Sequence, residues 1–395
     1  MLTSYPAAAV ERAMKIHEVI LRAMSGQLTW WQAAEILECS ERTVRRYRLD
    51  LQQHGYEDLF DRRHRPSPRR TPVAEVERVL KLYRTTYQGF NVRHFHDVAC
   101  RDHGVRLSYS LVKRLLQDAK LVKKHRPRGK HRLRREPRAC FGELLHLDGS
   151  PHGWLTLCPD ERQTMIAVLD DATKRLLYAQ LRPAETSDAV MTALREVVGA
   201  HGIPMALYTD RARWAFVTKT AGGRVDPEQL TQVGRALARL GVEHIPSYSP
   251  QARGRGERLN RTLQDRLINE LRVARVRTVA AANHYLRQRF IPDYNRRFTR
   301  PPRDPATAFV PAPGLDLDQV LCHEAERVVG QDNVVQFERV KLQLQQQRGR
   351  RSCAGMRVVA RRHVDGTHTV WRGAELLGRY DARGRPLDST EQIAA

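Results

Sequence analysis

From Gly142 to Ile245 short apolar runs alternate with segments of helical period, and this alternation restricts the fold more than any other feature of the chain. Leu144-Leu145-His146-Leu147 reads as a strand closing on a carboxylate, Asp148, before Gly149-Ser150. Met165 to Leu169 reads as a second strand, Asp170-Asp171-Ala172-Thr173-Lys174 as a turn and Leu176 to Leu181 as a third strand, which together predict an antiparallel meander. Thr186 to His201 follows as a helix with Val190, Leu194, Val197 and Val198 apolar, and Met205 to Tyr208 as the strand that delivers Asp210. A helix over Pro227 to Leu240 and a strand over Val242 to Ile245 complete the pattern. The expected centre of the molecule is an α/β core.

A third acid, Glu257, lies in Gly254-Arg255-Gly256-Glu257-Arg258-Leu259-Asn260-Arg261. Leu259, Leu263, Leu267 and Leu271 recur every fourth residue and predict the buried stripe of a helix starting after Pro250. Glu257 stands two positions before Leu259, about 200° around the axis, so it points to an open face with Arg261 one turn on. A phosphodiester carries its own negative charge, so an attacking oxygen needs neutralising cations, and two Mg²⁺ ions about 4 Å apart supply them. Such hard ions take oxygen ligands, which three acids in this order can offer. Asp170 and Asp171 fall in the turn, where Asp bonds local backbone, and stay outside the candidate site. His146 shares the face of Asp148 in a regular strand and is expected as a structural histidine. Ser249, Gln251, Arg253 and Arg255 precede the helix in a Gly-rich loop suited to gripping a strand of substrate.

A net charge of +24, from 68 Lys and Arg against 44 Asp and Glu, exceeds what solubility needs and points to a polyanion such as DNA. The predominance of Arg over Lys suits bidentate contacts, although a GC-rich genome gives the same bias. Six cysteines without a Cys-x-x-Cys pair indicate neither a disulfide framework nor a zinc knuckle and suit a reducing compartment. His94, His96, Cys100 and His103 match no standard zinc spacing. Neither a signal segment nor an apolar run of membrane-spanning length is present in the sequence.

Around the core the chain divides further. Residues 1–65 predict a helix-turn-helix domain: Val10, Met14, His17, Leu21 and Met24 at helical steps, a stop at Gly26, a capping box at Thr29-Trp30-Trp31-Gln32, and a third helix capped by Ser40 with Val44 inward. Glu38 and Cys39 occupy the turn where glycine is usual. Arg42, Arg45, Arg46 and Arg48 are expected to project to a major groove. Asp61 to Arg70 reads as a linker, and residues 71–122 as a second helix-turn-helix-like domain whose last helix carries Lys113 and Arg114. From Lys123 through Lys124 to Arg138, nine of sixteen residues are basic, a linker that lies along phosphates. Residues 320–390, with short apolar runs and Arg348, Arg350, Arg351, Arg357, Arg361 and Arg362, predict a small β-barrel able to hold DNA or a partner's core.

The motifs His146-Leu147-Asp148, Tyr208-Thr209-Asp210 and Gly256-Glu257-Arg258-Leu259-Asn260-Arg261, with Tyr294-Asn295-Arg296-Arg297, Pro301-Pro302 and Pro305-Ala306 after them, resemble the ribonuclease-H-like core of retroviral integrases and insertion-sequence transposases over residues 142–310. The preceding domains are similar to those of insertion-sequence transposases, the ISNCY group among them. The resemblance implies that Asp148, Asp210 and Glu257 form an Asp-Asp-Glu triad holding two Mg²⁺ ions, with Mn²⁺ able to substitute. It implies a bacterial cytoplasmic protein at the nucleoid, free of the membrane, that binds the terminal repeats of a mobile element. It also implies cleavage and joining of strands in duplex DNA by a dimer or larger synaptic complex. Lys113, Arg114, Lys123, Lys124, Arg253, Arg255 and Arg261 join the helix-turn-helix arginines as expected DNA contacts. Forty-six residues separate Asp210 from Glu257, more than integrases commonly have, and Trp214 to Asp226 reads as a loop or hairpin insertion. Two other readings stand beside this one: a DNA-binding regulator with a non-catalytic core, and a nuclease of RNA·DNA hybrids.

Overall fold

The computed structural model describes residues 7–60, 71–124, 136–158, 162–218, 220, 223–226, 228–248, 254–347 and 351–387. The expected linker over 61–70, most of the basic segment 123–138, and Ser249, Gln251 and Arg253 lie outside them. The chain forms two compact units, residues 1–78 and 79–395. Among the described residues no helix is long and apolar enough to cross a membrane.

The first unit is built on α1 (Ala7–Met24), α2 (Trp30–Ile36) and α3 (Glu41–His54). Thr29 accepts from Gln32 N and Gln32 returns the bond in a capping box, and Ser40 caps α3. Glu38 takes a positive φ of 48°, supplying the left-handed turn between α2 and α3 that glycine more often makes. The face of α1 differs from expectation: Ala13, Ile16, Val19, Ile20 and Ala23 are buried, whereas Met14, Leu21 and Met24 are exposed. Ile16, Val19, Ile20 and Ala23 form a stripe of compact side chains that packs closely on Ala33, Ala34 and Val44. Arg42, Arg45 and Arg46 are exposed on α3, but Arg48 is not thrust outward. It falls one turn after the fully buried Val44, on the same face, and lays its guanidinium over Trp30 at 5.3 Å.

In the second unit, the end of α4 (Val73–Thr85) packs with α5 (Val92–His103) and α6 (Tyr109–Asp118) around Val79, Phe90, Phe95, Val112 and Leu116. Lys113, Arg114, Lys123 and Lys124 are exposed. His96 bonds the Leu107 carbonyl and His103 bonds Tyr87, so the histidines near Cys100 serve packing.

The core sheet has the order β3-β2-β1-β4-β5, from β1 (Leu145–His152), β2 (Gln163–Asp170), β3 (Leu176–Arg182), β4 (Ala206–Thr209) and β5 (Glu243–Pro246). The first three strands are the expected antiparallel meander, and β1, β4 and β5 run parallel. Strand alternation sends Leu145, Leu147, Ile166 and Val168 to one face, where α7 (Ser187–His201) and α8 (Gln232–Arg239) cover them. Met165, Ala167, Leu169 and Leu181 go to the other, under α9 (Gly254–Val273), α10 (Val279–Tyr285) and α11 (Ile291–Phe298). The helix expected from Pro227 starts later, because Thr231 caps α8 through Gly234 N. Asp170 and Asp171 are fully buried turn residues, Asp170 accepting from Gly142 N and Thr173 N and Asp171 from Arg138 N and His146 Nε2.

A short helix, α12 (Leu317–Val320), leads to the C-terminal module, which is not the closed barrel expected. Strands β6 (His323–Val328), β9 (Arg357–Arg362), β10 (His368–Arg372) and β11 (Glu375–Tyr380) form an open sheet ordered β11-β10-β9-β6, and among the described residues β7 (Val334–Phe337) and β8 (Val340–Gln343) form a separate two-stranded sheet. Val335, Phe337 and Leu342 of the hairpin pack on Val358, Ala360, Val370, Leu377 and Tyr380. Apolar packing between two sheets thus encloses this core without hydrogen bonds that would close a barrel. Arg361 is buried against Glu324, and Arg362 pairs with Glu338 and Asp188, so these two hold the fold together.

Candidate active site

Parallel pairing between β1 and β4 aligns Leu145 with Leu207 and His146 with Tyr208. Two residues beyond that last rung, Asp148 within β1 and Asp210 just after β4 stand at the same level, at the carboxyl end of the parallel pair. Strand β1 continues against β2 as far as His152, so one edge of Asp148 and Gly149 is left to the segment after β4. Asp210 Oδ1 accepts from Ala212 N at 3.0 Å, which turns the chain back beside it.

The expected leucine stripe is buried in full: Leu259, Leu263, Leu267 and Leu271 are at most 4% exposed. It seats α9 along β1, on the face to which His146, Asp148 and Ser150 point. Asn260 Nδ2 donates to Asp148 Oδ2 at 2.8 Å, and Gln264, one turn on, donates to Ser150 at 3.2 Å. One turn before Asn260, a Cβ at Gly256 would stand 3.1 Å from Asp148 Oδ2. Glu257 follows Gly256 at once and is exposed, as is Arg261. Among the described residues the three acids do not close to within 4.8 Å of one another, a spacing reached by Asp50, His54 and Asp58 at the end of α3. His146 is buried on Asp171 at 2.7 Å, the structural role expected of it.

Three neighbours escaped sequence reasoning. Glu185, just before the cap of α7, brings its carboxyl over Gly149, where a Cβ would lie 2.3 Å away. Burial, then the charges of Asp210 and Asp148, push that carboxyl up to about 7. The Trp214 indole opposes the shift without closing a hydrogen bond, and its Nε1, in a side chain only 8% exposed, is buried with no partner. Asn260 is the third, and its Oδ1 is likewise buried without a partner. Asn260 stood within the motif around Glu257 with no role assigned to it; Glu185 and Trp214 carried no such signal.

The insertion after Asp210 begins inside the core, with Trp214 and Ala215 buried, and turns back through a Thr218–Val225 bridge as a hairpin. Arg211 lies over Tyr248 at 5.0 Å and donates to the Gly223 carbonyl at 2.6 Å, tying the hairpin to the segment after β5. Burial lowers His244 to about 4, so a neutral imidazole bonds Thr209 beside Asp210 and stacks on Phe216.

A homeodomain-like domain model matches residues 40–116. A putative transposase, y4bF, of Sinorhizobium fredii (strain NBRC 101917 / NGR234) is 32% identical over 382 residues, covering 93% of this chain and 81% of the relative. The chain belongs to the insertion-sequence transposases. The transposase for insertion sequence IS1202 of Streptococcus pneumoniae is 30% identical over 363 residues, covering 82% of this chain and 76% of that one. Among solved structures, a simian T-cell lymphotropic virus intasome in complex with PP2A regulatory subunit B56 gamma aligns at TM-score 0.35 and 13% identity, over 79% of this chain and 99% of the other. The HTLV-2 integrase catalytic core domain in complex with magnesium aligns at 0.28 and 15%, over 38% and 89%. As a transposase, this protein binds DNA and carries out polynucleotidyl transfer.

Proposed function

We propose that the transposase cuts and rejoins DNA at Asp148, Asp210 and Glu257, with two Mg²⁺ ions, replaceable by Mn²⁺, held by these acids. The observation that supports this most is the β1–β4 register, which brings Asp148 and Asp210 to one level at the carboxyl end of the parallel pair, with Gly256 and Asn260 of α9 against Asp148. The residues fit a hard cation: the donors are carboxylate oxygens, and Asn260 Oδ1 is a buried acceptor still lacking a partner beside them. Bound there, such ions would lower the pKa of an attacking water or 3′-hydroxyl and neutralise the crowded phosphate oxygens.

The chain's own part is positioning. Asn260 and the Ala212 N–H each hold and orient one oxygen of an aspartate. The first turn of α9, with its positive dipole end, favours negative charge near Gly256. Arg255 and Arg261 on that helix, with Arg253 before it, are the proposed contacts to the reacting strand. Arg42, Arg45, Arg46, Lys113, Arg114, Lys123 and Lys124 are proposed to hold the element's terminal repeats, within a dimer or larger synaptic complex that brings two ends together. The proposed location is the bacterial nucleoid.

The test is Mg²⁺-dependent cleavage and strand joining on DNA carrying the ends of the encoding element, for wild type, Asp148→Asn and Glu257→Gln. Products from wild type alone support the triad. Products from Glu257→Gln at the wild-type rate would remove Glu257 from the site, and DNA binding without products from any of the three would favour the regulator.

A further inference from the structure

We propose that Glu185 is a fourth carboxylate of this centre, reaching it over Gly149 from the opposite face of the sheet to help hold the divalent cation. The proposal rests on the reading of Asp148 and Asp210 as metal ligands.

Four features carry it. The first is position: Glu185 lies between β3 and the cap of α7, on the face that Leu145 and Leu147 share, whereas Asp148 points to α9. The acids therefore come from the two faces of the sheet at this point. The second is clearance. At Gly149 any β-carbon would stand 2.3 Å from the Glu185 Cδ and Oε2 and 2.7 Å from Oε1, so the absence of a side chain is what admits the carboxyl beside Asp148. The third is the charge around it: among the described residues, the charged groups that act on Glu185 are Asp210 and Asp148, both acids. Carboxylates gathered in this way favour a cation among them. The fourth is the Trp214 indole N–H. It is buried, makes no regular hydrogen bond and acts on the Glu185 carboxyl, so it would orient one oxygen while the other is drawn to a cation. Glu185 thus has the geometry of a ligand rather than of a structural ion pair.

The experiment measures Mn²⁺ binding to the full chain without DNA, by paramagnetic resonance of the free ion, for wild type, Glu185→Gln, Gly149→Ala and Asp148→Asn, with unfolding temperatures in EDTA alongside. Glu185→Gln is expected to weaken Mn²⁺ binding roughly 10–100-fold while its unfolding temperature in EDTA holds or rises, because a repelling charge is removed. A merely structural role would lower that temperature and leave affinity alone. Gly149→Ala keeps every carboxylate and displaces only the Glu185 side chain, so it should weaken binding in the same direction; it carries the test if Glu185→Gln does not fold. Mn²⁺ affinity within twofold of wild type in both variants, with binding lost in Asp148→Asn, overturns the fourth ligand and keeps the triad. Affinity unchanged in Asp148→Asn as well overturns both.

Discussion

Asn260 donates to Asp148 Oδ2 at 2.8 Å, and this bond joins the first turns of α9 to the middle of β1. Because Gln264 meets Ser150 one turn later, the helix is registered to the strand at two successive points on one face. Replacing Asn260 by Ala removes a charge-assisted bond worth about 1.5–3 kcal/mol from a site whose use depends on the orientation of Asp148. Strand joining should fall roughly 10–100-fold, with a far-ultraviolet dichroism spectrum like that of the parent. An unchanged rate would show that α9 does not need this registration.

Gly256 separates stability from activity. An added methyl would stand 3.1 Å from Asp148 Oδ2, tight enough to push the helix or the carboxylate by a few tenths of an ångström. Alanine also raises helix propensity by roughly 1 kcal/mol. Gly256→Ala is therefore expected to unfold at the parent's temperature or above it while cleaving DNA more slowly. Parallel melting and cleavage assays check the opposition.

Glu185 sets a pH dependence for the metal-free protein. Its carboxyl is raised from 4.5 to about 7 in the folded state. The folded form thus binds this proton more tightly than the unfolded form, and the resulting stability is full below pH 4.5 and lost as pH rises through about 7. In EDTA the unfolding temperature should drop across that window by the equivalent of roughly 1–3 kcal/mol, reduced by partial solvent access. Glu185→Gln should flatten this part of the profile, as should saturating Mg²⁺ in the wild type.

His94 and Glu270 anchor the module of α4 to α6 on the core. His94 is fully buried, bonds Glu270 at 2.8 Å, and Glu270 accepts a second bond from Tyr285 at 2.8 Å. Burial opposes charge on both, yet Glu270 stays below its usual value because His94 and Tyr285 bond its carboxylate, and His94 is held down in the neutral form. Asp97 reinforces the joint by meeting Arg266 at 3.1 Å and Arg297 at 2.6 Å. Glu270→Ala strands two buried partners and should cost about 3 kcal/mol by denaturant titration, whereas Glu270→Gln, which keeps an acceptor, should lose less.

The arginines of α3 separate by face. Arg46→Ala should weaken binding to the element's ends and lower the salt slope by about 1, since its guanidinium is exposed. Arg48→Ala should reduce the unfolding temperature through the lost contact with Trp30 and leave the slope alone. Fluorescence anisotropy across a salt series, with melting curves, distinguishes the two.

The sequence alone determined what local periodicity and capping control: the meander of β1 to β3, the leucine stripe of α9, the caps at Thr29 and Ser40, and the strands that carry Asp148 and lead to Asp210, although β1 runs past Asp148 to His152 rather than closing on it. These follow from spacing within a few residues, because side-chain direction repeats with the backbone. It went astray on α1, where more than one face had helical spacing, and on Arg48, where charge suggested projection outward while its place one turn after Val44 lays it half-buried over Trp30. It also predicted a closed barrel where Val335, Phe337 and Leu342 instead pack a separate hairpin onto an open sheet. Only the tertiary structure decided these, together with the approach of Glu185 over Gly149, the bond from Asn260 to Asp148 and the clasp of His94 on Glu270. Each joins residues 36 to 176 positions apart, and a contact made by chain folding at such separations leaves no periodic trace in the sequence.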